Sequence, residues 1–205
     1  MTYMCERNPL FLILASASPR RRELLAEAGY DFEVVVPDVD ESAFAREGVG
    51  AEEYAERLAL AKARSVAERF RDSLILGADT VADFAGEIVG KPADAKEAEE
   101  ITAKLFSAPH RVVTGVAIVR LSDGTELVES DSTTIYPRQL NAEQMARHIR
   151  SGTWRDKAGA YAIQENGDQF VERIEGSLTN VMGLPVELLR RMLSKIPGTE
   201  VDGEA

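Results

Sequence analysis

The chain has 205 residues, 35 acidic against 24 basic, a formal charge of −11, and 44% hydrophobic residues. This is ordinary globular usage, enough for one substantial domain, and it excludes general binding to duplex nucleic acid or to an anionic membrane, which needs a broad basic face. A lone cysteine, Cys5, excludes an internal disulfide, and with only His110 and His148 beside it no Cys/His zinc site can form.

In chain order, residues 10–15 (LFLILA) form a short continuous apolar run, the pattern of a strand buried on both faces. The run is short, follows Glu6 and leads straight into arginines, so a strand is expected there rather than a secretory segment. Ser18 and Pro19 predict a helix start, with Leu24, Leu25 and Ala28 on one face and Gly29 at its end. Residues 32–37 (FEVVVP) predict a second strand, followed by an acidic loop with Asp38, Asp40 and Glu41. Residues 51–70 predict a long helix with Tyr54, Leu58, Ala61 and Ser65 along its buried stripe. SLILGADTVADF predicts a strand that turns at residues 77–80 and then continues.

EIVGKP leads through a loop to a helix over 94–107, with Ala98, Ile101 and Leu105 inward. HRVVTGVAIVRL and ELVESDSTTIYP flank SDGT, a hairpin signal. Asn141 with Gln144 predicts a capping box, and Gly152 the end of that helix. AYAIQ, ENGD and QFVERI predict a second hairpin, and Pro185 opens a last helix with Leu188, Leu189, Met192 and Ile196 inward. Strands alternating with helices, interrupted by two hairpins, predict an α/β fold with a mixed twisted sheet flanked by helices. One domain over 1–197 is expected, with a flexible polar tail over 198–205. No apolar stretch approaches the ~20 residues of a membrane span, and a cytoplasmic protein is expected.

Several places carry candidate chemistry. Arg20, Arg21 and Arg22 stand in the first turn of the helix after Ser16 and Ser18. Arginine there opposes the helix dipole by roughly 0.3–1 kcal/mol each, a penalty that a bound phosphate would reverse. Asp79 follows an apolar strand, where open α/β sheets place ligands, although a lone turn aspartate more often caps its own backbone. Lys62, in mid-helix among alanines, and Lys91, before a proline, read singly as solvated lysines. The Asp38–Glu41 loop could bind metal or simply be charged. Gln164 ends an apolar strand, and His110 reads as a turn residue before a strand.

Taken as a set, LASASPRRRELL, LALAKA, GADTV, GKP, WRDKAGAYAIQ and GSLTNVMGLP, in this order and over nearly the whole chain, closely resemble the Maf family of nucleoside triphosphate pyrophosphatases, in the branch acting on dTTP and UTP. The resemblance implies a two-lobed α/β fold around a cleft, related to the inosine triphosphate pyrophosphatases. It also implies hydrolysis of a nucleoside triphosphate to the monophosphate and pyrophosphate with a divalent metal, Mg²⁺ or Mn²⁺, and a homodimer. By motif position, Ser16, Arg20, Arg21, Lys62 and Lys91 would hold the triphosphate and Asp79 would accept a proton. Glu41, with Asp79, would hold the metal, and Arg20, Thr80 and Gln164 would select the base. Ala162 and Glu165 stand where the family commonly has glycine. A sugar nucleotidyltransferase and a nucleotide-sensing regulator of cell division or septum formation are the alternative readings.

Overall fold

A computed structural model describes residues 11–155, 157–161 and 170–199. Its strands are β1 (Phe11–Ala15), β2 (Asp31–Val35), β3 (Leu74–Phe84), β4 (Glu87–Val89), β5 (His110–Arg120), β6 (Thr125–Pro137) and β7 (Val171–Glu175). They form one mixed sheet in the order β2-β1-β3-β5-β6-β7, with β4 paired to β3. β1 runs parallel to β2 and β3, and the other pairs are antiparallel. The helices are α1 (Pro19–Glu27), α2 (Ala51–Ala67), α3 (Ala95–Leu105), α4 (Ala142–Ser151), α5 (Leu178–Val181) and α6 (Val186–Leu193). A single turn of 3₁₀ helix spans Glu41–Ala43, and Ala158–Ala160 forms a tight turn with Gly159 and Ala160 left-handed. Among the described residues no helix is long and apolar enough to cross a membrane.

The sheet is covered on both faces, which is why its central strands read as unbroken apolar runs. On one face Leu12, Leu14, Leu76 and Val116 pack with Leu24 and Leu25 of α1 and Leu188 and Leu189 of α6. On the other, Ile13, Ile75 and Ala117 pack with Ala59, Ala63 and Val66 of α2. α2 lies unusually close to the sheet. A Cβ on Gly77 of β3 would collide with the Ala59 carbonyl oxygen, and one on Gly115 of β5 with the Ala55 backbone. These two glycines have no room for a side chain because a helix backbone passes directly over them.

Several local expectations change. Residues 77–80 form no turn; β3 runs straight through them, paired residue by residue with β5. The Gly-Ala sequence that suggests a turn reflects the close approach of α2 instead. α2 ends at Ala67, and its buried stripe is Tyr54, Ala55, Leu58, Ala59, Lys62, Ala63 and Val66, with Ala61 and Ser65 only half-buried. The N-cap position of α1 is Ser18, but its hydroxyl makes no capping bond; its N–H donates to Ser16 Oγ at 3.1 Å. β7 pairs with β6, and residues 162–169, where most of the expected second hairpin falls, lie outside the described residues. So do residues 200–205 of the polar tail and Cys5. His110 is the buried first residue of β5, not a turn residue. The capping box at Asn141 and Gln144 and the left-handed Gly152 form as expected.

One feature of the topology creates a site. β1 pairs with β3 only from Leu74 to Gly77, and β4 pairs on the same side only from Ala82 to Phe84. Residues 78–81 therefore have β5 on one side and no strand on the other among the described residues. This notch in the sheet carries Asp79 and Thr80.

Candidate functional site

Because strand side chains alternate, Asp79 and Thr80 leave the notch toward opposite faces. Asp79 meets α2: Lys62 Nζ lies 2.6 Å from Asp79 Oδ1 and 2.7 Å from Glu41 Oε1. Lys91 Nζ stands 3.8 Å from Glu41 Oε2. Lys62 is thus a buried ammonium held between two carboxylates, and only 7% of the residue is exposed. Burial opposes ionisation of Glu41, but Lys62, Lys91 and Arg21 outweigh it and hold its carboxyl below the ordinary carboxylate range.

Thr80 meets α1. Arg21 donates from Nη2 to Thr80 Oγ1 at 3.1 Å, from Nη1 to Ser16 Oγ at 3.4 Å and from Nε to the Gly183 carbonyl at 2.7 Å. Thr114 Oγ1 donates to the Asn180 carbonyl at 3.0 Å, so the 2.9 Å contact between Thr80 and Thr114 has Thr80 as its donor. Protons therefore point one way from Arg21 through Thr80 and Thr114 into α5. Asn180 closes the end of this chain, donating from Nδ2 to the Val112 carbonyl at 2.9 Å and to Thr133 Oγ1 at 2.8 Å. Burial pushes the Arg21 pKa down while Asp79 and Glu41 act against it, and a guanidinium so placed stays cationic.

A cavity of ≈ 920 Å³ opens over the notch and the start of α1. Of the residues singled out in the sequence, Ser16, Arg20, Arg21, Glu41, Lys62, Thr80 and Lys91 line it. Asp79 does not; it sits behind Lys62, 7% exposed. Gln164 lies outside the described residues. Arg155 and Lys157 also line the cavity, so among the described residues six cationic side chains face two carboxylates, Glu23 and Glu41. An apolar part of the wall comes from Ala82, Val112, Tyr161 and Met182. Sequence reasoning missed Arg155, Lys157 and Tyr161, although WRDKAGAYAIQ marks their segment; it also missed Thr114, Asn180 and Gly183, which lie behind or beside Arg21.

Glu41 and Asp79 converge on one point, and among the described residues no group of three or more His, Cys, Asp or Glu could hold a metal ion. Two carboxylates alone make an incomplete set for a hard divalent ion, and phosphate oxygens and water would have to complete it.

The description Maf-like protein matches residues 11–196. The dTTP/UTP pyrophosphatase of Geotalea uraniireducens is 45% identical over 185 residues, covering 88% of this chain and 94% of that one. The dTTP/UTP pyrophosphatase of Symbiobacterium thermophilum is 44% identical over 184 residues, covering 90% and 93%. A solved structure of the Staphylococcus aureus Ham1 protein is similar with a TM-score of 0.51 at 15% identity, over 90% of this chain and 98% of that one, a likeness of fold alone.

Proposed function

The chain belongs to the Maf family, and from that premise we propose that it hydrolyses nucleoside triphosphates, dTTP and UTP foremost, to the nucleoside monophosphate and pyrophosphate. The observation that carries this reading is the six-cation cavity in a chain of net charge −11. Such a local reversal of charge suits a small polyanion.

Arg20 and Arg21 supply planar donor forks to phosphate oxygens, and Lys62 and Lys91 supply point charges. Arg21 is preset by its bonds to Thr80, Ser16 and Gly183, so little order is lost when phosphate arrives. Lys62 is the hinge of the mechanism. A triphosphate competes with Asp79 and Glu41 for its ammonium, and as Lys62 turns to phosphate the Asp79 carboxylate becomes free to act as a base. Asp79 then takes a proton from the attacking water. The water oxygen bonds to the α-phosphorus in line, and the bond from the α-phosphorus to the bridging oxygen breaks. Pyrophosphate leaves with its charge held by the cations. No covalent intermediate is required.

A divalent ion fits as a companion of the substrate. Glu41 and Asp79 would hold it with phosphate oxygens, and Mg²⁺ or Mn²⁺ matches that oxygen donor set. When bound it would further neutralise the phosphates.

A product assay tests the reading over normal, methylated and halogenated nucleotides, with Mg²⁺ and Mn²⁺ compared. Equal amounts of monophosphate and pyrophosphate from dTTP and UTP are expected. Release of orthophosphate instead, or no turnover, overturns it.

A further inference from the structure

Both histidines of the chain serve one short turn beside the cavity. His110 Nδ1 lies 3.0 Å from the Leu105 carbonyl and its Nε2 lies 2.7 Å from Tyr161 Oη. A carbonyl can only accept, so Nδ1 carries the proton and Nε2 accepts from the tyrosine hydroxyl. His148, on α4, places Nε2 2.8 Å from the Ala160 carbonyl and donates to it, while its Nδ1 has no partner among the described residues. Burial pushes both imidazoles below their ordinary pKa, which suits these neutral tautomers.

The turn they hold is strained. Gly159 has φ 73° and Ala160 has φ 62°, left-handed conformations that a buried alanine adopts only when its surroundings impose them. It is also tied to the site twice. Tyr161 lines the cavity, and Gly159 N–H donates at 3.2 Å to the carbonyl of Gly90, the residue before Lys91. Around it Phe106 packs edge-on to both Tyr161 and Phe170.

We propose that His110 and His148 are positioning residues which clamp the turn at residues 159–161 and thereby fix both the Tyr161 wall of the cavity and the loop bearing Lys91. Neither imidazole lines the cavity, so each acts through the turn. The clamp rests on the reading that the triphosphate binds in this cavity.

Steady-state kinetics and thermal unfolding of four variants test it. Tyr161→Phe keeps the ring and removes the donor; His110→Leu removes the acceptor. Each is expected to raise KM for UTP about tenfold and to lower Tm, because Tyr161→Phe strands His110 Nε2 and His110→Leu strands the Tyr161 hydroxyl and the Leu105 carbonyl. His110→Gln, whose amide oxygen can still accept, is expected to restore KM to within about threefold of wild type. The double variant His110→Leu/Tyr161→Phe removes both sides of the Tyr161 contact and leaves only the Leu105 carbonyl without its donor, so it is expected to recover Tm above that of His110→Leu but not to recover KM. If KM recovers together with Tm, the pair is merely structural and the proposal falls. It falls equally if neither Tyr161→Phe nor the double variant moves KM, which keeps the test open even where His110→Leu does not fold. Wild-type protein that releases no pyrophosphate overturns the functional reading, and the clamp with it; wild-type turnover with unmoved KM in the variants overturns the clamp alone.

Discussion

The two halves of β3 have the same strand geometry and opposite roles. Residues 74–77 have β1 on one side and β5 on the other, and Leu74, Ile75 and Leu76 disappear into the two apolar layers. Residues 78–81 keep β5 but have no strand on the β1 side among the described residues, and there the strand carries a buried aspartate and a threonine that reach cations on either face. Stopping one strand early opens a hole in a sheet without breaking the strand that lines it. α1 and α2 then deliver arginine and lysine to that hole from opposite faces.

Changes in the open half should damage chemistry, and changes in the closed half should damage stability. The largest expected effect is from Asp79→Asn. It keeps the shape and removes the base, so kcat should fall about 10³-fold, within the range of general-base catalysis, while nucleotide binding persists. Unchanged turnover would remove Asp79 from the mechanism. Lys62→Met comes next, because it leaves Asp79 and Glu41 facing each other without their shared ammonium. Breaking a buried pair from one side costs about 3–5 kcal/mol, and denaturant unfolding should register a loss of that order; a loss under ~1 kcal/mol would mean that Lys62 is not the central cation.

In the closed half, Gly77→Ala should push α2 off the sheet and destabilise the fold by about 1–3 kcal/mol. If α2 carries Lys62 away with it, activity in folded protein will fall as well; full activity would show that the site tolerates movement of α2. Arg20→Ala should raise KM about tenfold, roughly the loss of one charged hydrogen bond, and an unaltered KM would argue against a phosphate contact. The smallest effect concerns pH. Burial lowers the pKa of His110 and His148 below the value of 6.5 that holds in the unfolded chain. The unfolded state therefore binds protons more readily near and below that pH, and the stability from the neutral rings, present above it, is lost as pH falls. Tm should drop by a few degrees between pH 7 and about pH 5, and by less in His110→Leu/Tyr161→Phe.

The same contrast explains what could be read from the sequence. Arg20 and Arg21 were legible because a helix start and its charges are written in consecutive residues. The closed half of β3 was legible as an apolar run. Lys62 is singled out by the LALAKA motif but not by its local pattern, since a lysine among alanines reads the same on a solvated face as on a buried one; the carboxylates of Asp79 and Glu41 distinguish the two. The sequence around Asp79 reads as a turn because glycine usually signals one, whereas Gly77 answers to the carbonyl of Ala59, distant in sequence. The notch itself depends on where β1 ends and β4 begins, a matter of pairing between strands that no local pattern carries. Arg155, Lys157 and Tyr161 reach the cavity by the same kind of long-range arrangement.

The most direct measurement is a crystal structure with α,β-methylene-UTP, a non-hydrolysable analogue, bound. The account predicts the phosphates within hydrogen-bonding distance of Arg20, Arg21, Lys62 and Lys91, with Lys62 drawn away from Asp79. Phosphates bound elsewhere, or Lys62 still locked between Asp79 and Glu41 with the analogue in place, would contradict it.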